Sequence, residues 1–343
     1  MGMNWLAKIA GLAEVPVFVA IGEGAPSDTA ISLCTNPALR SVETPRAAAI
    51  LLVVGTIPDA LLPQLHRLHD QLPHPRATVL WHSGNRLSEA TTVGGTEDIG
   101  ASLKDVHRSL LAGNFDTEPD ILPDVPPNEW RGIGTHGQGG KGMMGGTPYG
   151  RPMAMTAADL RDGLELDAYT ADFGPFLPMF PPGLALTLTL QGDVIQSVAV
   201  VHPPFENHEN RGWVLLNLLG LPALAERMLR VSNDSDTTLR RLIHLSGARA
   251  AIPKSLGRTY DGSDVRARFD QMTGISEHAM NAHVHQTGLD DLLIGLEWHE
   301  AMLVLNSFDT APLRTICANT SDPEPDEKME GGMDHGAHAG HMS

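Results

Sequence analysis

The chain has 343 residues, enough for two domains with cores of their own. Its net charge of −17 argues against a nucleic-acid partner, because phosphate binding needs a basic surface. No run approaches the roughly 18–20 uninterrupted apolar residues that span a bilayer, and two cysteines, Cys34 and Cys317, are too few for a disulfide framework and suit a reducing compartment.

Met1–Gly22 reads as a short amphipathic helix followed by a strand. Glu14 and Pro16 interrupt the apolar core that a signal peptide would need. Trp5, Leu6, Ile9 and Leu12 give that helix an apolar face for docking on the core, a partner or a membrane surface. Ile50–Val54 is a continuous aliphatic run, as in a strand covered on both faces. Pro58 suits the first turn of a helix; Leu61, Leu62, Leu65, Leu68 and Leu72 recur at helical spacing, and Pro73 stops them. Ala77–Trp81 supplies a second strand, so the simplest unit is a right-handed crossover in a parallel sheet. A helix over Ala101–Leu111, ended by Gly113, closes an α/β domain over residues 1–112.

Residues 113–150 form a Gly/Pro-rich linker. Its glycines do not follow a strand and open a helix, so they make no dinucleotide-binding fingerprint. His136, Lys141, Met143 and Met144 read as part of this connector, with a ligand contact as the alternative. From Arg151 an α+β domain runs to Cys317. Leu184–Leu190 and Val194–Val201 flank Gln191-Gly192-Asp193 as a hairpin. Trp213–Leu229 (broken near Gly220 and Pro222), Thr237–Leu245 and Leu289–Leu305 carry helical periodicity. The tail, residues 318–343, has six Asp/Glu against one Lys and no core residues, and is expected to be disordered.

The run LLVVGT at Leu51–Thr56, the segment HRLHDQLPHPR and the strand after it resemble the small, cluster-carrying subunit shared by respiratory complex I and the nickel-iron hydrogenases. Thr44-Pro45-Arg46 resembles the Ser-Pro-Arg ahead of that strand in the family. Gly174–Asp193, GPFLPMFPPGLALTLTLQGD, is similar to the opening of the complex I large subunit, where a Gly-Pro-x-His-Pro box precedes a hairpin. Lys254–Phe269 resembles a later segment of that subunit. The resemblance implies a flavodoxin-like α/β domain of small-subunit type, then an α+β domain of large-subunit type, the two fused in shortened form.

The departures concern cofactor ligands. In the family four cysteines hold an iron-sulfur cluster, as soft thiolates must. Here the first pair falls near Val19–Gly22, the third at Gly84 and the fourth at Gly100, and none is cysteine. The quinone-site box histidines are replaced by Leu177 and Pro181, which offer neither proton nor hydrogen bond. Gly174, Pro175 and Pro178 keep the shape of the box, and Phe180 adds apolar surface. The paired Cys-x-x-Cys motifs of a nickel-iron site are missing as well, so no iron-sulfur cluster is expected.

Two histidine clusters offer another reading. His335, His338 and His341 beside Met333 and Met342 suit weak copper or nickel binding in the tail. His278, His283 and His285, with Glu277 nearby, match no zinc spacing and read as a solvated loop. His299 between Glu297 and Glu300 reads as a helix-surface ion pair. Ser83 has neither nucleophile elbow nor base, and no phosphate-binding loop occurs.

The expected function is that of a non-redox subunit of a complex I-like or hydrogenase-like assembly, cytoplasmic and peripheral on the inner membrane face. It would dock on a membrane-embedded, antiporter-like subunit, with a lipid or quinone tail in an apolar cavity. The alternatives are a soluble copper- or nickel-handling protein and an NADH:quinone oxidoreductase-related redox subunit using a partner's cluster.

Overall fold

The computed structural model describes residues 13–87, 89–95, 98–113, 117–123, 155–156, 166–206, 211–231, 237–275 and 286–321. The N-terminal helix, most of the linker with His136, Lys141, Met143 and Met144, the His278–His285 cluster and the tail ligands lie outside them.

The first unit is a parallel sheet of β1 (Val15–Ile21), β2 (Leu39–Ser41), β3 (Ile50–Val54), β4 (Ala77–Trp81) and β5 (Thr91–Val93), in the order β2-β1-β3-β4-β5. The two strands predicted from aliphatic runs are β3 and β4, paired in parallel from Ile50 opposite Ala77 to Val54 opposite Trp81. All five residues of β3 are buried because both faces of the sheet are covered. On one face lie α1 (Thr29–Cys34) and α3 (Ile99–Ala112), through Leu33, Leu103 and Leu110. On the other lie Leu61 and α2 (Leu62–His69), through Leu65 and Leu68. The Asp98 carboxylate caps α3 by accepting from the Gly100 and Ala101 N–H groups, and Gly113 ends it at φ +69°.

Strand order reverses at β1, with β2 on one side and β3 on the other. This is the switch point where open α/β sheets leave a crevice beyond the strand ends. Here backbone hydrogen bonds bridge the crevice: the Gly22 N–H donates to Val54, and Glu23 and Thr56 exchange N–H···O=C bonds of 2.8 Å.

The second unit opens on an antiparallel sheet, β6 (Met155–Thr156), β7 (Asp167–Phe173), β8 (Ala185–Gln191) and β9 (Val194–His202), hydrogen-bonded in that order. The predicted hairpin is β8–β9, with Gly192 at φ +65° in its turn. Helices follow: α4 (Gly212–Leu218), α5 (Pro222–Arg230), α6 (Thr237–Leu245), α7 (Ala248–Ala251), α8 (Val265–Met272), α9 (Leu289–Leu293), α10 (Trp298–Asn306) and α11 (Thr310–Asn319). The predicted helix Leu289–Leu305 is two helices. Gly295 stands between them at φ +84°, and its N–H donates to Ile195, whose own N–H donates to Leu296, fastening the link to β9. Ala301–Leu305 of α10 are at most 1% exposed, so this helix is the axis of the second core.

The two units share a core: Phe205, from the segment after β9, packs among Phe18, Leu51 and Leu65 on the α2 face of the parallel sheet. Among the described residues no helix is long and apolar enough to cross a membrane.

Candidate functional site

Strand β7 delivers the chain into GPFLPMFPPG between two glycines whose conformations fix the loop. Gly174 adopts φ +89°, and a Cβ there would stand 2.1 Å from the Leu184 carbonyl oxygen; a Cβ on Gly183 would meet the Phe205 ring at 2.6 Å. Between them the loop is anchored from below. The Asn306 side chain donates to the Met179 carbonyl at 2.7 Å, Arg211 donates to Phe180 O at 3.2 Å, and Phe180 stacks on Trp298 with centroids 6.0 Å apart. The Phe205 N–H donates to Pro182 O at 2.8 Å, tying the loop's far end to the shared core.

Held this way, the loop closes over β1 and divides two adjoining cavities, both lined by Phe18, Phe176, Leu177 and Pro178. The smaller, about 140 Å³, has a floor of β1 and α1, includes Cys34, and is predominantly apolar apart from Thr29, Ser41 and Arg211. The larger, about 320 Å³, is of a size that holds small molecules, with Glu43, Arg67, Gln71 and Asp172 on its walls. Trp213 Nε1 beside the first and Gln64 Oε1 beside the second are buried atoms with no hydrogen-bond partner among the described residues, so a polar atom of a bound molecule would satisfy either.

The residues singled out in the box largely converge here. Gly174 lines the larger cavity and Pro175 the smaller, Leu177 and Pro178 line both, and Pro181 is buried in the loop without reaching either. Pro45 of the Thr-Pro-Arg segment lines the larger one. Arg211, Trp213, Trp298 and Asn306 belong to no motif of the sequence. Asn306 had a signal, a lone amide ending the apolar run AMLVL, whereas nothing local marks Arg211.

Of the positions that the resemblance matches to cluster cysteines, Gly22 and Gly84 both face Thr56, and Gly100 lies apart against Asn36. Gly84 donates its N–H to Thr56 Oγ1 at 3.0 Å, and a Cβ on Gly22 would meet the Thr56 carbonyl at 2.6 Å. Gly100 instead packs on Asn36, 1.8 Å from where a Cβ would be. None of these positions supplies a thiolate, and the Thr56 backbone leaves no room for a side chain at Gly22, so the residues present do not fit an iron-sulfur cluster. Among the described residues no group of three or more His, Cys, Asp or Glu is placed to hold a metal ion.

A second polar centre lies at the start of β4, where sequence reading saw only helix end and linker. His69 is 3% exposed, with Nε2 2.9 Å from Glu118 Oε2 and Nδ1 2.7 Å from Asp70 Oδ1. Glu118 also accepts from the Thr78 N–H and hydroxyl, both at 2.6 Å, and Arg76 donates to Glu118 O and to Asp120. Burial pushes the His69 pKa down, but the two carboxylates outweigh it, leaving a net rise above 6.5. Burial likewise pushes Asp70 up, yet the Ile121 N–H, His69 and the Leu122 N–H bring it below its usual range. The effect is to fasten residues 117–122 of the linker to the sheet.

The remaining candidates have structural employment. Ser83 donates to Asn85, which clasps Ile57 through both its amide atoms. His299 is exposed on α10, where its neighbour Glu300 turns back to accept the Glu297 N–H.

Searches against protein-family models and against curated proteins find no match for this chain.

Proposed function

We propose that the chain is a non-redox subunit of a complex I-like or hydrogenase-like assembly, in which fused remnants of the small and large subunits form a docking platform on a membrane-embedded, antiporter-like partner. The observation that carries this reading is the seating of the Gly174–Gly183 loop on β1 of the parallel sheet. The two segments whose sequences resemble different subunits meet there around Phe18, Phe176 and Phe205. The strand order β2-β1-β3-β4-β5 supports a flavodoxin-like small-subunit ancestry. What is kept is packing, while the positions that would carry ligands hold Gly84, Gly100, Leu177 and Pro181. The cavities under the loop then serve as a binding place for a lipid or a quinone tail, with Trp213 and Gln64 at their polar margins.

The test is a mild-detergent pull-down of the tagged chain from its native membranes, read by mass spectrometry and by metal analysis of the same eluate. Antiporter-like membrane subunits recovered without stoichiometric iron in this chain are expected. The chain recovered alone and carrying copper or nickel would overturn the proposal in favour of metal handling by the tail.

A further inference from the structure

The charge of this chain is unevenly distributed. Against a total of −17, the stretch Thr237–Tyr260 contains no Asp or Glu and five cations, Arg240, Arg241, Arg249, Lys254 and Arg258. It comprises α6, α7 and the turns leading to α8. The nearest downstream carboxylates are turned to internal tasks. Asp261 accepts from Thr259 and from the Ser263 N–H, Asp264 caps α8 through the Ala267 N–H at 2.9 Å, and Asp270 pairs with Arg249 at 2.7 Å. Arg241, Lys254 and Arg258 are exposed and, among the described residues, engaged in no ion pair.

The same stretch presents three large side chains, Leu242, Leu245 and Tyr260, to solvent. Leu239 and Ile243 bury the inner face of α6, yet Leu245 is 79% exposed, Leu242 is 39% exposed and Tyr260 is 83% exposed. Exposed leucine and tyrosine interleaved with unpaired cations form the pattern of a surface that rests in a lipid interface, the rings and methyls entering the headgroup layer and the cations meeting phosphates.

We infer that Arg241–Tyr260 is a contact surface for an anionic phospholipid membrane. It acts directly on lipid and so goes beyond the docking on a membrane protein proposed above; either can fail without the other.

The full-length chain is sedimented with vesicles of equal parts phosphatidylcholine and phosphatidylglycerol, and with vesicles of phosphatidylcholine alone. Binding is expected only to the anionic vesicles, weakening as salt rises. The exposed-site variant R241E/K254E/R258E should bind roughly a hundredfold more weakly, at about fivefold per cation. Leu245→Ser with Tyr260→Ser should weaken binding while leaving its salt dependence in place. Equal binding to both vesicle types, or unchanged binding by the charge-reversal variant with an unaltered melting temperature, overturns the inference. Binding that emerges only after removal of residues 322–343 overturns it too, by assigning the surface to the chain's own acidic tail.

Discussion

Arg211 and Asn306 lie 95 positions apart in sequence and meet in the core, where the guanidinium Nε donates to the amide oxygen at 2.9 Å. Each then holds a different carbonyl of the cavity loop, Arg211 that of Phe180 and Asn306 that of Met179. The pair thus anchors the cavity loop from beneath. Asn306 is fully buried, so Asn306→Leu leaves the Arg211 and Met179 groups short of a partner, at a cost of about 2–4 kcal/mol. Urea unfolding measures this directly, and a loss below about 0.5 kcal/mol would show that the loop is held by other means.

Phe205 makes the two units one. It belongs to the second by sequence and sits 2% exposed among Phe18, Leu51 and Leu65 of the first. Phe205→Ala is expected to cost about 3–5 kcal/mol and to split a single thermal transition into two, because the shared core is what couples them. Calorimetry reads both effects; one unsplit transition in the variant would place the coupling elsewhere.

Aliphatic density made β3, β4, β8 and β9 legible, since each is long enough and apolar enough to state its period. The short or polar strands were not: Leu39–Ser41 and Thr91–Val93 have three residues each, and Asp167–Phe173 leaves three of its seven residues exposed beside its paired neighbour. Their pairing comes from tertiary context. The same holds for the site. Gly174, Pro175, Leu177 and Pro178 were visible as a motif, but Arg211 and Trp213 reach the cavity only through the packing of α4. Nothing in the sequence joins His69 to Glu118, because the helix end and the linker that carry them come together only when the chain folds back on β4.

The His69 network predicts a pH dependence of known sign. Its folded-state pKa is raised, so its contribution is fully present below about pH 6.5 and fades as the pH climbs through the folded value. Asp70, with a lowered pKa, works at the other end: its contribution is present above about pH 3.8 and fades as the pH falls through its folded value. Hence the stability difference between the wild type and His69→Gln should be about 1–3 kcal/mol near pH 6 and shrink toward about pH 9. A difference that stays constant over this range would mean that His69 is not charged in the fold. Glu118→Ala removes the common acceptor and should cost about 3–5 kcal/mol at neutral pH.

The two cysteines report on the cavity without any knowledge of its natural ligand. Cys317 is buried against the second core, and burial pushes its thiol up to about 12, so it stays protonated and unreactive until the chain unfolds. Cys34 is exposed and lines the smaller cavity beside Leu177. Alkylation of the native protein should therefore modify Cys34 alone, with Cys317 following only in denaturant. If the cavity takes an apolar chain, decylubiquinone or lauric acid should slow Cys34 labelling by about threefold or more. Leu177→Trp, which fills the space from the loop side, should slow it with no ligand added. A Cys34 rate indifferent to both would leave the cavity as a packing gap between the units and confine any ligand to the larger chamber on the other side of Leu177.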